Sequence, residues 1–410
     1  MPAFRSLDDV DVKGKRVLVR VDLNVPAEHG TVEDATRIER MAPTIAELAD
    51  RGAKVILLSH FDRPKAPSPE YSLKPIAAMA ARVVGRPIGF ADDCIGEVAE
   101  KAVAAMKPGD VLCMENTRFH AGETKNDPAF VAQLARLGDI YVNEAFSVAH
   151  RAHASTEGLA HVLPVYAGRD MQAELDALDK ALHAPQHPVA AIVGGAKIST
   201  KLDLIGNLLI KFETLIIGGA MANTFLAAQG KAVGKSLYEP RLLQTARDIL
   251  AKAKSLNREV VLPVDAVVAP KLADDVPSRV VTVDEVGAAD MILDIGPRSI
   301  EQVTAVLGRA RTLVWNGPFG AFEHKPFDTG TMAVAVAAAE LTAAGRLVSI
   351  GGGGDTVAAL NAAGATSRFT YVSMAGGAFL EWLEGKKLPG VEALTAFQSS
   401  AAPRGRSDRL

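Results

Sequence analysis

Short apolar runs rich in β-branched residues alternate with longer amphipathic runs along nearly the whole sequence. This alternation is typical of parallel sheets whose strands are joined by crossover helices. In the first half the short runs read RVLVRVDL, AKVILLSH, DVLCMENT and DIYVNEA. In the second half they read PVAAIVGG, TLIIGG, VVLPVDAVV, TLVWNG and RLVSIGG. The sequence therefore predicts an α/β fold with two parallel sheets.

A connector separates the two sets of strands. The segment MQAELDALDKALHA has apolar residues at helical spacing and is followed by the breaker-rich HAPQHP. At 410 residues the chain is also longer than one compact core usually accommodates. We therefore predict an N-terminal lobe over 1–170, a connector helix over 171–184 and a C-terminal lobe over 185–388. The composition of 401–410 is typical of a disordered tail.

Composition excludes several classes of protein. The formal net charge of -3 gives no global positive field, so nucleic acid is not an expected partner. The N-terminus lacks an apolar leader and no apolar run is long enough to span a bilayer, so a cytoplasmic protein without membrane contact is expected. The two cysteines, Cys94 and Cys113, have no paired spacing, which argues against a disulfide framework or a zinc site. We expect both to be buried and inert.

Polar side chains follow the strands of the first half, where the carboxyl ends of a parallel sheet meet. On the first strand Arg20, Asp22 and Asn24 share a face, and in a covered sheet they must find buried partners or a ligand. The other polar candidates at this edge are Arg37, His60, Arg63, Arg118, His120, His150, Arg151 and His153. Clustered guanidinium groups repel one another unless an anion lies between them. This edge is therefore predicted to bind carboxylate or phosphate oxygens.

Glycine-rich turns follow the strands of the second half. They read GGAK at 194–197, GGAMANT at 218–224, NGPFG at 316–320 and GGGGDT at 351–356. Turns without side chains let backbone N–H groups approach phosphate, and helix N-termini attract negative charge. This edge is predicted to bind phosphate. Lys197 and Lys201 are four residues apart and would share a face if an α-helix begins near Ile198.

Asp355 has two possible roles in the turn GGGGDT. It can be the N-cap of a helix, and it can hold Mg²⁺, which commonly takes one or two carboxylates together with nucleotide phosphate oxygens. Other nucleotide motifs are missing from the sequence. There is no G-x-G-x-x-G, and GKAVGKS at 230–236 is one residue short of a Walker A loop.

The chain resembles the phosphoglycerate kinase family in a series of motifs between positions 20 and 394. In order they are RVDLNVP, TRI, SHFDRP, ENTRFHAGETKND, AHRAHAST, GGAKIST, WNGPFGAFE, PFDTGT, GGGGDT and LEGKKLPGVEAL. The resemblance implies two Rossmann-like lobes with a cleft between them, the segment 389–400 returning to the first lobe. It implies phosphoryl transfer between 1,3-bisphosphoglycerate and ADP, giving 3-phosphoglycerate and ATP. It also implies Mg²⁺, carried as MgATP or MgADP, and favours a monomer.

The family's site residues carry over by motif. Those implied for phosphoglycerate are Asp22, Asn24, Arg37, His60, Arg63, Arg118 and Arg151. Those implied for the nucleotide are Gly195, Lys197, Lys201, Asn316, Glu323, Gly353, Gly354, Asp355 and Thr356, with Asp355 on the metal. Those implied for catalysis are Arg37, Lys197, Gly376 and Gly377. The two glycines form a helix N-terminus that faces the transferred group in the family.

Several positions depart from the family pattern. Asp62 adds a negative charge beside the anion site, which weakens binding unless its carboxylate is paired or points away. EAFSVAHR replaces the family's DAFGTAHR, and Ala220 stands in GGAM where the family has glycine. Met374 and Ala375 stand before Gly376, and alanine there is expected to matter if the backbone needs a positive φ.

Two other readings remain open at this point. A degenerate paralogue would bind the same ligands in a regulatory role without turnover. A nicotinamide-dependent dehydrogenase would bind NAD, although the missing glycine fingerprint argues against it. The physiological direction, glycolysis or carbon fixation, and the preferred nucleotide base have no signature in the sequence.

Overall fold

The computed structural model describes residues 4–28, 31–32 and 35–400, and these divide into two compact units. The first unit holds the described residues up to Leu175 together with those from Lys387 onward, and the second holds Asp176–Lys386. The predicted tail, 401–410, lies outside the described residues. In the part of the chain that is described, no helix is both long and apolar enough to cross a membrane.

The first unit is built on a sheet of six parallel strands flanked by helices. Its elements are β1 (Arg16–Arg20), β2 (Ala27–Glu28), β3 (Thr31–Val32), α1 (Thr36–Asp50), β4 (Lys54–Leu58), α2 (Lys74–Val84), β5 (Ile88–Ala91), α3 (Gly96–Ala104), β6 (Val111–Met114), α4 (Pro128–Ala135), β7 (Ile140–Asn143), α5 (Leu159–Val162) and β8 (Val165–Ala167). The strand order in the sheet is β5-β6-β4-β1-β7-β8, and β2 and β3 form a separate antiparallel hairpin.

Local sequence explains how these elements form and pack. Val17 and Val19 of β1 belong to the same buried core as Ile38 and Ile45 of α1, which lie at helical spacing. The side chain of Asp127 caps α4 by accepting the backbone N–H groups of the second and third helical residues, at 2.9 and 3.0 Å.

The connecting helix α6 (Arg169–Leu182) begins two residues before the connector helix predicted at 171–184. The division between the two units falls inside it, between Leu175 and Asp176. Residues on one face of the helix, Met171, Leu175 and Leu178, are fully buried. The apolar spacing read from the sequence is therefore the buried stripe of this helix.

The second unit contains a six-stranded parallel sheet and a smaller antiparallel one. Its elements are β9 (Val189–Val193), α7 (Leu202–Lys211), β10 (Thr214–Ile217), α8 (Gly219–Ala228), α9 (Leu243–Ser255), β11 (Glu259–Val261), β12 (Asp265–Ala269), β13 (Arg279–Thr282), β14 (Met291–Ile295), α10 (Pro297–Arg309), β15 (Thr312–Asn316), α11 (Thr329–Ala343), β16 (Val348–Gly352), α12 (Gly354–Ala362), β17 (Tyr371–Ser373) and α13 (Gly377–Leu383). The parallel order is β11-β10-β9-β15-β16-β17, and the antiparallel order is β13-β12-β14.

One predicted strand is wrong. The run VVLPVDAVV is two strands: β11 pairs in parallel with β10, and β12 joins the antiparallel sheet. Pro263, between them, has no N–H to donate to a ladder and breaks the run. Strands β2, β3, β5, β8, β13, β14 and β17 were not predicted at all.

The last described helix, α14 (Pro389–Ser400), packs against α5 and β8 of the first unit. The backbone N–H of Gly390 donates to the carbonyl of Ala149 at 2.9 Å. A Cβ at position 390 would lie 3.1 Å from the Cα of Ala149, so the absence of a side chain permits this close approach. The predicted segment 389–400 thus forms part of the first compact unit.

Glu144, at the end of β7, makes the stability of the fold depend on pH. Its carboxyl group is buried, accepts the backbone N–H of Asp170 at 3.2 Å, and has a pKa raised to about 8, mainly by burial. Between the unfolded pKa of about 4.3 and the folded value, the native state holds a proton that the unfolded state lacks. Stability from this group is therefore complete at low pH and is lost as the pH rises towards 8.

We predict that Glu144→Gln reduces the loss of stability between pH 6 and pH 8, because the amide is neutral at every pH. Denaturant midpoints followed by circular dichroism at pH 6 and pH 8 measure it, with the exposed Glu97→Gln as the control. The wild-type midpoint should fall more than that of Glu144→Gln over this interval. An equal fall in both proteins would contradict the prediction.

Candidate functional site

An arginine-lined pocket lies in the first unit, where strands of the sheet end. Arg63 follows β4, Arg118 follows β6 and Arg151 follows β7, and the three line a cavity of about 750 Å³. Burial and the charges of neighbouring arginines, Arg151 first, lower the pKa of Arg118 to about 10. An anion between these guanidinium groups would relieve their repulsion. The predicted convergence of Arg63, Arg118 and Arg151 is therefore seen in the structure.

His60 is buried and within electrostatic reach of this cluster. Its Nδ1 atom lies 3.0 Å from Nη2 of Arg20. Because a guanidinium can only donate, Nδ1 accepts and the neutral ring carries its proton on Nε2. Burial, followed by the charge of Arg20, lowers the pKa of His60 well below its usual range. His60 is thus a neutral N–H donor, which suits an anionic oxygen.

Arg20 is a positioning residue that the motif reading left out of the site. It is 1% exposed, and its Nε donates to Oγ of Ser155 at 2.8 Å. The Ser155 hydroxyl in turn donates to the buried carboxylate of Glu123 at 2.5 Å. Arg20, the last residue of β1, therefore has buried hydrogen-bond partners, and its own guanidinium contacts His60. The signal for this network was an arginine on a strand that should be covered on both faces.

Asp22, Asn24 and Arg37 form a second group in the first unit. Nη1 of Arg37 donates to the Asp22 carboxylate at 3.0 Å and to the Asn24 carbonyl at 2.8 Å. The Arg37 side chain is 36% exposed. The arginine pocket, as far as the chain is described, is lined without Arg37. Arg37 is instead held beside Asp22 and Asn24 by these two hydrogen bonds.

Asp62 has a left-handed backbone conformation, with a φ of 50°. Its carboxylate accepts the backbone N–H of Arg63 at 2.8 Å. Its carbonyl accepts from Arg118 at 2.5 Å, and its own N–H donates to the side chain of Asn24 at 2.8 Å. The added charge is thus partly offset by a backbone donor, and the residue links Arg118 to Asn24.

Ser147 is the departure in EAFSVAHR that touches the site. Its hydroxyl donates to the Asp22 carboxylate at 2.5 Å, on the same oxygen that accepts from Arg37. The family's glycine has no such donor. Ser147 therefore adds a further hydrogen bond to the carboxylate that holds Arg37.

A second pocket, of about 340 Å³, lies among the glycine-rich turns of the second unit. Gly195, Gly219, Ala220, Glu323 and Asp355 are part of its lining. The apolar part of the lining includes Leu226, Leu237, Leu272, Met291, Leu293 and Phe319. One part of this pocket has glycine turns and a carboxylate, and another part has an apolar wall. A nucleotide fits such a pocket, because its phosphates are charged and its base is largely apolar.

The turn GGGGDT leads into α12, and the structure shows which of its residues is the N-cap. Gly353 has a φ of 97°, and a Cβ there would lie 2.6 Å from the Asn316 amide nitrogen. The helix starts at Gly354 with Gly353 as its N-cap, so the reading of Asp355 as N-cap is wrong. The left-handed backbone at Gly353 turns the chain into the helix before Asp355 is reached. Asp355 lies in the first turn with an exposed side chain.

Asn316, at the end of β15, makes hydrogen bonds to two other segments near this pocket. Its amide nitrogen donates to the Gly352 carbonyl at 2.8 Å, and its amide oxygen accepts from Nζ of Lys201. The Thr356 hydroxyl accepts the backbone N–H of Gly317 at 2.7 Å. Burial lowers the pKa of Lys201 to about 8, against the opposing charge of Asp355. A phosphate beside Lys201 would stabilise its charged form.

The predicted common face of Lys197 and Lys201 is wrong. Ile198–Thr200 is a 3₁₀ helix, and α7 starts only at Leu202. At three residues per turn, positions four apart do not share a face. Lys197 is exposed and Lys201 is half-buried.

Gly376 is the N-cap of α13, which begins at Gly377. Ala375, just before it, is not among the residues with positive φ, so the alanine causes no strain of that kind. Its N–H donates to the Ser373 hydroxyl at 3.2 Å. Ala220 lies inside α8, where alanine is a favourable residue, and Met374 packs against the core of the second unit.

Asp294 lines the second pocket and was missed from the sequence. Its carboxyl group accepts the N–H groups of Gly330 at 2.7 Å and Ile295 at 2.8 Å. Burial raises its pKa to about 7. The residue belongs to β14, which was not predicted as a strand, so its side chain could not be placed at a strand end from the sequence.

Comparison with known proteins identifies relatives over almost the whole length. The model of the family described as phosphoglycerate kinase matches residues 7–386. The phosphoglycerate kinase of Bradyrhizobium diazoefficiens is 64% identical over 391 residues, covering 95% of this chain and 98% of the relative. That of Methylobacterium radiotolerans is 63% identical over 398 residues, covering 97% of this chain and 100% of the relative.

Solved structures agree with these relatives. Phosphoglycerate kinase from Coxiella burnetii superposes with a TM-score of 0.90 at 41% identity, covering 96% of this chain and 100% of that one. Phosphoglycerate kinase from Pyrococcus horikoshii superposes with a TM-score of 0.82 at 30% identity, covering 97% of this chain and 100% of that one. With an arginine-lined pocket in one unit, glycine turns around a pocket in the other, and relatives of this identity over nearly its full length, the chain belongs to the phosphoglycerate kinase family.

Proposed function

We propose that this chain catalyses the reversible transfer of a phosphoryl group between 1,3-bisphosphoglycerate and ADP, giving 3-phosphoglycerate and ATP. The observation that carries the proposal is the presence of two pockets of different construction in the two units. One is lined by arginines and the other by glycine turns and apolar side chains. These chemistries suit a small polyanion and a nucleotide respectively.

The first pocket takes the phosphoglycerate. Arg63, Arg118 and Arg151 hold its phosphate or carboxylate oxygens, and His60 donates from Nε2. Asp22, Asn24 and Arg37 are the other proposed contacts of the phosphoglycerate. The hydrogen bonds from Arg37 to Asp22 and Asn24 hold its guanidinium, which we propose reaches the reacting group.

The second pocket takes the nucleotide. The apolar lining receives the base, and the glycine turns receive the phosphates through backbone N–H groups. The proposed nucleotide residues are Gly195, Lys197, Lys201, Asn316, Glu323, Gly353, Gly354, Asp355 and Thr356. We propose that the chain acts as a monomer, as its family resemblance implies.

Asp355 is the residue that would hold magnesium. Its side chain is exposed in the lining of the second pocket, and its charge acts on Lys201. One such carboxylate fits Mg²⁺, which takes its remaining ligands from phosphate oxygens and water. When bound, the ion neutralises charge on the phosphate oxygens.

The proposed catalytic residues position the reacting groups and supply positive charge. In the ATP-consuming direction the attacking group is a carboxylate already ionised at neutral pH, so no general base is required. Arg37 and Lys197 stabilise charge on the transferred group, with the N–H groups of Gly376 and Gly377. Because the two pockets belong to different units, transfer requires the units to bring their ligands together, and we propose that α6 bends to allow it.

A coupled assay with 1,3-bisphosphoglycerate and ADP tests the proposed function. Turnover in both directions is the expected result. Tight binding of both ligands without turnover would contradict the proposal and favour a regulatory protein.

Asp355→Asn should weaken MgADP binding by about tenfold or more, since even outer-shell partners of a metal are worth 10- to 100-fold in affinity. Without Mg²⁺, the affinity for ADP should stay the same or increase, because a negative charge beside the phosphates has been removed. Calorimetric titration with and without Mg²⁺ measures both values, and Glu340→Gln, an exposed position on α11, is the control. Equal losses with and without Mg²⁺ would exclude the metal role.

A further inference from the structure

Three different metal-ligand side chains meet near the edge of the arginine pocket. The ligand atoms of Asp93, Cys94 and His120 all lie within 4.8 Å of one another. Nε2 of His120 is 2.7 Å from Oδ1 of Asp93. His120 also lines the arginine pocket. These residues have no part in the phosphoryl transfer proposed above.

Neighbouring strands of the sheet bring the three residues together. Asp93 and Cys94 follow β5, and His120 follows the 3₁₀ turn after β6, the strand with which β5 pairs in parallel. The His120 ring stacks on Phe130, with centroids 5.4 Å apart and planes 29° apart. The imidazole is therefore held in its orientation by packing, as metal-binding histidines commonly are by their second-shell contacts.

The surroundings of the thiol favour a cation. Cys94 is buried next to Asp93, and the negative charges of Asp93, Glu123 and Glu115 all act on it. The same charges that oppose a thiolate attract a divalent cation, which would in turn stabilise the thiolate. The Cys94 side chain is fully buried, whereas those of Asp93 and His120 are 40% and 29% exposed. A cation can therefore reach the cluster from the solvent side.

We infer that Asp93, Cys94 and His120 form a binding site for a thiophilic divalent cation, of which Zn²⁺ has the matching chemistry. One thiolate, one imidazole and one carboxylate are ligands that zinc accepts in tetrahedral sites, with water in the fourth position. Magnesium prefers oxygen ligands in octahedral geometry and does not suit this set. On binding, the Cys94 thiol loses its proton to solvent. The charges of aspartate and thiolate then balance the two charges of the ion.

Cobalt titration of the full-length, untagged protein tests the site. Co²⁺ replaces Zn²⁺ in sites of this kind and has a thiolate-to-metal charge-transfer band that reports a cysteine ligand. We expect one equivalent of Co²⁺ to give this band and Zn²⁺ to abolish it. The chain has two cysteines, so Cys113→Ser is the matched control and Cys94→Ser is the test.

The band should persist in Cys113→Ser and disappear in Cys94→Ser. His120→Ala and Asp93→Asn, at partly exposed positions, should keep the fold and weaken Co²⁺ binding by about 10- to 100-fold or more, since losing a direct ligand costs at least as much as losing an outer-shell partner. They keep the test decisive if Cys94→Ser does not fold. A wild-type protein without the band, a band that depends on Cys113, or unchanged affinity in both His120→Ala and Asp93→Asn would overturn the proposal. These readouts do not use enzymatic activity and are independent of the proposed function.

Discussion

Arg37→Ala is expected to lower kcat by about 10³-fold or more, because a charge-stabilising arginine in phosphoryl transfer is worth about 10³ to 10⁵ in rate. The fold should survive this substitution. The Arg37 side chain is 36% exposed, and exposed ion pairs contribute about 1 kcal/mol or less. The Asp22 carboxylate left behind still accepts from the Ser147 hydroxyl at 2.5 Å and from the Asn24 N–H at 3.1 Å.

The coupled assay measures kcat and KM for Arg37→Ala, and circular dichroism checks that the protein is folded. Arg86→Ala is the matched control, since Arg86 is another arginine of the first unit that pairs with a carboxylate, Asp50. That variant should retain the wild-type rate. If Arg37→Ala kept a third of the wild-type turnover, its proposed catalytic role would be refuted.

Gly317→Ala is expected to destabilise the second unit by about 3 kcal/mol or more, as positive-φ strain and overpacking each cost about 1–3 kcal/mol. Gly317 has a φ of 99°, and a Cβ there would lie 2.3 Å from the carbonyl oxygen of Gly194. All three of its nearest neighbours are backbone atoms, which cannot move aside as a flexible side chain can. The clash lies where the turns after β9 and β15 cross.

Gly354→Ala is the matched control on the same edge of the sheet. Its added Cβ meets nothing within 4 Å, and the position begins a helix, so stability should change by about 0.5 kcal/mol or less. Its affinity for ADP should fall, because the methyl group occupies space proposed for phosphate. Tryptophan fluorescence during denaturation is suited to both variants, since Trp315 and Trp382 both belong to the second unit. Equal midpoints for Gly317→Ala and wild type would contradict the steric argument.

Much of the architecture was predictable because secondary structure leaves a local periodic pattern. The strands read from the sequence correspond to the central strands of both parallel sheets, and the connector appears as α6. The failures have local physical reasons. Pro263 splits one predicted strand between two sheets, and the short strands β5, β8 and β17, at sheet edges, have weaker patterns than the buried central ones.

The candidate site was predictable to a different depth in each unit. Arg63, Arg118 and Arg151 do meet, because each follows a strand of the same sheet and strand ends converge. Arg37 lies in α1 and follows no strand of the parallel sheet, so its pairing with Asp22 depends on how α1 is placed. Of the two roles possible for Asp355, the N-cap is wrong, because the left-handed φ of Gly353 starts the helix earlier and is not visible in a run of four glycines.

The sequence by itself determined the α/β class and the contrast between a guanidinium-rich edge and a glycine-rich edge, since both follow from residue types at periodic, local positions. Only the tertiary structure decided that Arg20 orients His60, that Ser155 links Arg20 to Glu123, and that His120 joins Cys94. These contacts join segments distant along the chain. They depend on the strand order β5-β6-β4-β1-β7-β8, which differs from chain order and is set by how whole helices and strands pack.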